Sequence, residues 1–331
     1  MRIAVLFGGI SSERDVSVVS GGQVVRALEA RGHQVVAIDT EHGVLGSEQR
    51  AELLSRGVLS APPKLEARSV HSQILKWSEH FTAVDVVFLA LHGGFGENGT
   101  VQGLLDLLGV TYTGTDLRGS AIAMDKDVSK RLFRSAGIPT ADWHVLRPAD
   151  APETKLSLPI VVKPNREGST VGLSVVSEAA ELAPAVQLAR RYDTEVVLET
   201  FIPGRELAVG VFGGQALAVG EIIPLRSKIF DYASKYQAGG AEEVFPAVIP
   251  KPIELEAQRI AVAVHRALKL GDYSRIDLRL APDNTLWVLE ANTLPGMTPT
   301  SLLPQSAGAV GVGFDDLCER IAEAALARAN K

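Results

Sequence analysis

The chain lacks the features that mark several common protein classes. It has one cysteine, Cys318, among 331 residues, which excludes an internal disulfide. No apolar run is long enough to span a bilayer, and the first residues lead into a predicted strand without a signal-peptide pattern. The formal net charge is −6, which argues against nucleic acid as a partner. We therefore expect a cytoplasmic protein with a small-molecule substrate and no membrane partner.

Two nucleotide-binding motifs are also missing. There is no Gly-x-x-x-x-Gly-Lys-Ser/Thr sequence, which argues against a Walker-type NTPase. There is no Gly-x-Gly-x-x-Gly after the first predicted strand, which argues against a dinucleotide enzyme. Hydrophobic residues make up 46% of the chain, enough for packed cores, and the length predicts two or three domains.

The most informative pattern is a predicted hairpin that carries two carboxylates. Residues 276–280 alternate apolar and polar, residues 285–290 form a second strand-like run, and Pro282-Asp-Asn284 between them is typical of a turn. The hairpin would bring Asp277 near Glu290 and Asn292. Hard oxygen ligands of this kind suit Mg²⁺, although a hairpin with polar edge residues is the plainer interpretation. An acid that ends an apolar strand is costly unless it is paired or metal-bound, which favours the metal site.

A candidate phosphate-binding loop precedes this hairpin. A buried-type strand ends in Lys163, and Glu167-Gly-Ser169-Thr-Val-Gly172 follows it. Small residues allow backbone N–H groups to close on phosphate oxygens, while the lysine supplies a point charge. An ordinary glycine turn would explain the loop equally well.

The chain order predicts an α/β and α+β protein. Strand 3–7, a helix that ends at Gly32 and strand 34–38 indicate a doubly wound parallel sheet. We expect an N-terminal domain at 1–114, a central subdomain with the phosphate loop at 115–203, and a C-terminal subdomain with the metal site at 204–331. One helix is expected over 116–136, and a mobile lid over 226–241.

In order along the chain, several motifs resemble the D-alanine–D-alanine ligases of the ATP-grasp superfamily. These motifs are Phe7-Gly-Gly-Ile-Ser-Ser-Glu13-Arg-Asp-Val-Ser17, Ala90-Leu-His92-Gly-Gly, Gly96-Glu-Asn-Gly-Thr-Val-Gln-Gly103, Met124-Asp-Lys126, Val162-Lys163-Pro-Asn-Arg-Glu-Gly-Ser169, Arg275-Ile-Asp277 and Leu289-Glu-Ala-Asn-Thr-Leu-Pro-Gly-Met-Thr298. The resemblance covers nearly the whole chain. It implies an N-terminal substrate domain followed by a two-part ATP-grasp fold.

The resemblance also implies the reaction and its participants. ATP would phosphorylate one D-alanine, and the amine of a second D-alanine would displace phosphate to give D-alanyl-D-alanine for peptidoglycan synthesis. The implied cofactors are ATP and two Mg²⁺ ions, with Mn²⁺ as a substitute, and the expected assembly is a homodimer. Catalysis of this kind depends mainly on positioning and electrostatics.

Site residues carry over from the resemblance position by position. The implied ATP-binding residues are Lys126, Lys163, Glu167, Gly168, Ser169, Glu199, Thr200, Ile202, Glu206, Lys235 and Leu289. The implied metal ligands are Asp277, Glu290 and Asn292, and the implied substrate-binding residues are Glu13, His92, Arg275, Gly296, Ser301 and Leu302. Arg275 and the Gly296 N–H would stabilise the oxyanion. Glu13, Ser169 and Tyr236 would form a hydrogen-bonded triad that closes the lid.

Two positions depart from the commoner family pattern, and other functions stay open. Thr200 stands where many relatives have a lysine, and Phe230 where a lid tyrosine is frequent. The alternatives are a depsipeptide or D-serine variant, another ATP-grasp carboxylate–amine ligase, or a catalytically dead ATP-grasp relative that only binds nucleotide or a partner. A dead relative should have lost metal ligands, and all three candidate ligands are present.

Overall fold

The structure is a computed structural model that describes residues 1–9, 11–46, 48–50, 78–81, 83–225 and 240–329. The strands in this part are β1 Arg2–Phe7, β2 Gln34–Asp39, β3 Gly43–Val44, β4 Val86–Leu89, β5 Trp143–Leu146, β6 Ile160–Pro164, β7 Ser174–Val176, β8 Val196–Thr200, β9 Arg205–Phe212, β10 Gln215–Pro224, β11 Ala241–Val244, β12 Tyr273–Leu280 and β13 Leu286–Asn292. The α-helices in this part are α1 Arg14–Ala30, α2 Ser78–Phe81, α3 Thr100–Leu107, α4 Leu117–Met124, α5 Lys126–Ser135, α6 Leu182–Ala189, α7 Lys251–Ala267, α8 Leu302–Gly308 and α9 Phe314–Ala329. None of these helices is long and apolar enough to cross a membrane.

The N-terminal sheet has the predicted parallel core. Its strand order is β3-β2-β1-β4, and β1 pairs in parallel with both β2 and β4. Helix α1 lies close against β1, because a Cβ on Gly21 would come within 2.4 Å of the Phe7 ring. The carboxyl ends of these strands point toward the loops that carry Glu13 and His92, as expected for a ligand-binding edge.

Two further sheets follow in the chain. One has the order β5-β8-β6-β7 and is antiparallel throughout, and the other has the order β11-β10-β9-β12-β13. Strands β12 and β13 form the predicted antiparallel hairpin, in which Asp277 is opposite Glu290. The turn places Asn284 in the left-handed region at φ 66°, a conformation that asparagine tolerates.

The single helix expected over 116–136 is wrong, because the structure has two helices there. Asp125 separates α4 from α5 with an extended backbone at φ −85° and ψ 104°. Its side chain accepts a hydrogen bond from the Val128 N–H at 3.0 Å and so caps α5. Ala123 and Phe133 join the hydrophobic core of the third sheet, with Leu207 and Ile276. This packing fixes Lys126 at the start of α5, facing that sheet.

Candidate functional site

The first of two adjoining cavities lies between the second and third sheets. Nine of the eleven residues expected to bind ATP line it: Lys126, Lys163, Glu167, Gly168, Glu199, Thr200, Ile202, Glu206 and Leu289. Ser169 lines the neighbouring cavity instead. Lys235 lies outside the described residues. A cleft with cations at one end and apolar residues along it suits a nucleotide.

The cationic end of this cavity is formed by α5 and the loop after β6. Lys126 Nζ donates to the Glu167 carbonyl oxygen at 2.5 Å and lies 3.5 Å from Oε2 of Glu290. In the loop, Ser169 and Thr170 have positive φ values of 48° and 62°, which non-glycine residues rarely adopt. A Cβ on Gly168 would lie 3.0 Å from Oε2 of Glu13, so a larger residue here would require that carboxylate to shift.

A buried charge cluster lies beside the same cavity. Glu199 is 2% exposed, with Oε1 at 3.2 Å from Lys163 Nζ and Oε2 at 2.7 Å from Lys130 Nζ. Burial raises the pKa of Glu199, but the two lysines outweigh it and hold that pKa below its usual value. Glu199 therefore stays ionised and orients Lys163 beside the cavity.

Lys130 was missed at the sequence level, although it is 1% exposed. Its Nζ also donates to Thr140 Oγ1 at 2.6 Å and to the Ala141 carbonyl oxygen at 3.3 Å, and it lies 5.2 Å from the centroid of the Trp143 ring. Burial lowers the pKa of Lys130, and Glu199 partly offsets this effect. Its spacing of four residues from Lys126 on an amphipathic helix was the available signal, but that spacing is ordinary for a solvated lysine.

Arg279 is a second functional candidate that the sequence did not reveal. Its Nε donates to the Ile202 carbonyl oxygen at 3.1 Å, and its Nη1 donates to Glu206 Oε2 at 3.2 Å. Its guanidinium lies 5.8 Å from the Phe201 ring centroid. Arg279 thus holds the segment 201–206, where two of the predicted adenine and ribose contacts lie.

The candidate metal ligands lie together on the β12–β13 hairpin. Arg275 donates from Nε and Nη2 to the two carboxylate oxygens of Asp277 at 2.8 Å each, and Asn292 Nδ2 donates to Asp277 Oδ2 at 3.0 Å. Within the described part of the chain, no group of three or more His, Cys, Asp or Glu side chains is arranged to hold a metal. A cation here would need the asparagine oxygen, water and phosphate as further ligands, a set that Mg²⁺ accepts.

The second cavity lies between the N-terminal domain and the loop after β13. All six residues expected to bind substrate line it: Glu13, His92, Arg275, Gly296, Ser301 and Leu302. Ser169 Oγ donates to Glu13 Oε1 in a short hydrogen bond, so the structure brings together two members of the predicted triad. Tyr236, the third member, lies outside the described residues, as do Phe230 and most of the predicted lid.

Acidic groups next to both cavities have shifted pKa values. Burial, together with the negative charge of Glu13, raises the pKa of Glu167 to about 7, while Lys126 opposes this shift. The same two causes, burial first, raise the pKa of Glu97 to about 8. Glu97 was not among the predicted site residues, yet it lines the second cavity. Such shifts are typical of functional sites, where binding a cation would favour the ionised forms.

Comparisons with known protein families cover almost the whole chain. Residues 2–115 match the family model described as D-ala D-ala ligase N-terminus, and residues 132–323 match the model described as D-ala D-ala ligase C-terminus. The D-alanine–D-alanine ligase of Geotalea uraniireducens is 41% identical over 327 residues, covering 98% of this chain and 95% of that protein. The ligase of an Anaeromyxobacter species is 41% identical over 333 residues, covering 99% of this chain and 98% of its own length.

Solved structures give the same result. The D-alanine–D-alanine ligase of Bacillus anthracis complexed with ATP has a TM-score of 0.80 at 31% identity and covers 100% of this chain and 99% of its own. The ligase of Coxiella burnetii has a TM-score of 0.80 at 28% identity, with 100% and 95% covered. These similarities extend through the loops and sheets that build both cavities.

Proposed function

Because the chain belongs to the D-alanine–D-alanine ligase family, we propose that it uses ATP to join two D-alanine molecules through a D-alanyl phosphate. The observation that carries this proposal is the meeting of the two cavities. Gly168 lines both of them, and a narrow space lined by Lys126, Glu290 and Asn292 lies at their junction. A nucleotide in the first cavity can therefore present its terminal phosphate to a carboxylate in the second.

The proposed reaction has two steps. A carboxylate oxygen of the first D-alanine attacks the γ-phosphorus, the bond between that phosphorus and the β,γ-bridging oxygen breaks, and ADP leaves. The neutral amine of the second D-alanine then attacks the acyl carbon. The resulting tetrahedral intermediate collapses with cleavage of its bond to the phosphate oxygen, which releases phosphate and a proton. Negative charge develops first on the phosphoryl oxygens and then on the former carbonyl oxygen.

We assign the residues of the second cavity to this charge. Glu13 binds the ammonium group of the first D-alanine, and Arg275 and the backbone N–H of Gly296 stabilise the oxyanion. Ser301 and Leu302 receive the second D-alanine, with the Ser301 hydroxyl on its carboxylate. Two observations support these roles. Arg275 is held by two hydrogen bonds to Asp277. A Cβ on Gly296 would come within 2.8 Å of Ser301 Oγ, so Gly296 and Ser301 lie next to each other.

We assign the residues of the first cavity to ATP. Lys126, Lys163 and Lys235 bind phosphate oxygens, together with the backbone of the loop that includes Glu167, Gly168 and Ser169. Glu199, Thr200, Ile202, Glu206 and Leu289 surround the adenine and ribose. Asp277, Glu290 and Asn292 would hold two Mg²⁺ ions, or Mn²⁺, and such ions supply positive charge to the phosphoryl oxygens. The oxygen-rich donor set of the hairpin fits this role.

The larger organisation remains part of the proposal. We infer a division at 1–114, 115–203 and 204–331, in which α4 and α5 belong to the central part by chain order but pack on the C-terminal sheet. We also propose a cytoplasmic homodimer. The cytoplasmic location is supported by the proposed use of ATP, which is available there. The dimer is supported by the apolar surface that includes Leu107, which is 88% exposed. Light scattering of the purified protein would test the dimer.

The test of the proposed function is the stereochemistry of the substrate. Glu13 and the glycine-rich loop fix the ammonium group on one side of the carboxylate, so only one enantiomer can present its oxygen to ATP. Phosphate release should depend on D-alanine and be small with L-alanine. Equal rates with the two enantiomers would contradict the assignment, as would phosphate release without dipeptide.

A further inference from the structure

The loop that presents Gly296 is tied to the N-terminal domain at both of its ends. His92 Nδ1 lies 2.9 Å from the Leu294 carbonyl oxygen, and the Met297 N–H donates to Ser20 Oγ at 3.2 Å. Ser20 and His92 are themselves joined, with Oγ 3.0 Å from Nε2. Ser20 and His92, which contact each other in the N-terminal domain, therefore hold the residues on either side of Pro295–Gly296.

With the His92 ring neutral, the hydrogen-bond chemistry of this group admits one arrangement of protons. A carbonyl oxygen only accepts, so Nδ1 of His92 carries the proton and Nε2 is the acceptor. Ser20 then donates its hydroxyl hydrogen to Nε2 and accepts the Met297 N–H. Every polar atom of the group is paired, and both side chains are almost fully buried, at 0% exposed for Ser20 and 4% for His92.

This arrangement changes the role expected for His92. The sequence suggested that His92 binds substrate, and its ring does line the second cavity. Both ring nitrogens, however, already have partners within the protein. An imidazole in this state contacts substrate with its carbon edge and cannot donate to it without releasing Leu294.

We propose that Ser20 and His92 are positioning residues, which hold the 294–297 loop so that the Gly296 N–H is aimed at the reacting carbonyl. This inference rests on the proposed function, because it assumes that the Gly296 N–H stabilises the oxyanion. A donor that must meet a developing charge is effective only when its position is fixed beforehand. The tie also makes the second cavity depend on both domains, since Ser20 and Met297 are 277 residues apart in the chain.

The first test removes the Ser20 hydroxyl. Ser20→Ala leaves both Nε2 of His92 and the Met297 N–H without a partner in a buried site. We expect kcat/KM for D-alanine to fall about tenfold, mostly through kcat, with the KM for ATP unchanged. Amide hydrogen exchange at Met297 should accelerate about tenfold, because that N–H loses its acceptor.

The matched control is Ser274→Ala. Ser274 Oγ lies 2.8 Å from Nδ1 of His265 in a second buried serine–histidine pair, and neither residue lines either cavity. This variant loses the same group from a similar core environment. We expect its thermal stability to fall as in Ser20→Ala, while kcat/KM and Met297 exchange stay at wild-type values.

The second test separates positioning from substrate contact at His92. The amide nitrogen of an asparagine lies near the position of Nδ1, and that of a glutamine lies near Nε2. His92→Asn should therefore keep the bond to Leu294 and retain more activity than His92→Gln. A histidine that bound substrate through Nε2 would give the opposite order.

The outcomes separate the two claims. If Ser20→Ala keeps kcat within twofold of wild type with unchanged Met297 exchange, or if His92→Gln is more active than His92→Asn, the positioning role is wrong. If the wild type itself forms no D-alanyl-D-alanine, the proposed function fails. Met297 exchange in Ser20→Ala then still decides whether the tie exists, because that measurement requires no turnover.

Discussion

Glu290 lines the first cavity and the narrow space at the junction. It lies opposite Asp277 in the hairpin, and Lys126 Nζ is 3.5 Å from its Oε2. A carboxylate in this position can hold a divalent cation and orient Lys126, which we propose binds phosphate. Its charge therefore matters more than its shape, because a neutral amide of the same size provides a weaker cation ligand.

Glu290→Gln should reduce kcat at least about a hundredfold while the fold is kept, because it removes the charge of a proposed metal ligand. The Mg²⁺ concentration needed for half-maximal rate should rise. Dipeptide formation measured across a Mg²⁺ series tests both effects. Glu242→Gln is the control, since Glu242 is exposed on β11 and lines neither cavity. A near wild-type rate in Glu290→Gln would contradict the metal assignment.

Lys130 is the residue whose removal should cost the most stability in the charge cluster. Lys130→Met takes away one of two buried cations from Glu199 and should lower the free energy of unfolding by about 3 kcal/mol. Adding Glu199→Gln should restore part of that loss, because the remaining group is neutral. Urea unfolding of the single and double variants measures the coupling. Strictly additive losses would show that the Lys130–Glu199 pair does not stabilise the fold.

Sequence patterns alone predicted those residues whose partners are close in the chain, whereas the distant pair of Glu13 and Ser169 was predicted from the family resemblance. Asp277 and Glu290 could be paired because strand alternation and a turn fix the register of a hairpin. Lys130 could not be assigned, because Glu199 and Thr140 approach it only after the second and third sheets form. Ser20 was missed for the same reason, since Met297 lies at the opposite end of the chain. Long-range contacts between buried polar groups leave no periodic signal.

Helix α1 is the element that connects the N-terminal core to the second cavity. It begins directly after Glu13, carries Ser20, and lies so close to β1 that Gly21 faces the Phe7 ring. The glycine is needed for this close approach rather than for an unusual backbone angle. A larger residue at this position would push α1 away from β1 and would displace Glu13 and Ser20 with it.

Gly21→Ala should lower the free energy of unfolding by about 1–3 kcal/mol, because the added methyl group overlaps Phe7. Gly308→Ala is the matched control, since Gly308 is also helical and a Cβ there would meet nothing within 4 Å. That control should be neutral or stabilising by up to about 1 kcal/mol through helix propensity. Thermal and urea unfolding compare the two, and equal effects would contradict the close packing of α1 on β1.

At the scale of the whole molecule, buried histidines link stability to pH. Burial lowers the pKa of His265 to about 4, although a hydrogen bond involving the backbone of Gly271 opposes this shift. Burial also lowers the pKa of His92. In the unfolded chain these rings take up a proton near pH 6.5, whereas in the folded protein they do so only at lower pH. Between the folded and the unfolded pKa values, the unfolded state binds more protons than the folded state. The contribution of the neutral histidines to stability therefore falls as pH falls, and it is constant above the unfolded pKa.

His265→Gln isolates this effect. Between pH 7.5 and pH 5, wild type should lose about 2 kcal/mol more of its free energy of unfolding than the variant does. Carboxyl groups with raised pKa values, such as Glu97, stabilise the fold as pH falls and so act in the opposite direction. Their effect is the same in wild type and variant and cancels when the two proteins are compared. Urea unfolding at the two pH values gives the result. Parallel pH profiles for wild type and variant would show that His265 is not buried in its neutral form.

The junction of the two cavities is the central feature of the molecule, and the fate of one oxygen atom tests it most directly. D-Alanine labelled with ¹⁸O in its carboxylate is incubated with ATP and Mg²⁺, and the released phosphate is analysed by mass spectrometry. If the carboxylate attacks the γ-phosphorus and the amine later displaces phosphate, one phosphate is released for each D-alanyl-D-alanine formed, and that phosphate carries one ¹⁸O atom. Unlabelled phosphate in step with dipeptide formation would show that no acyl phosphate forms, and would contradict the account.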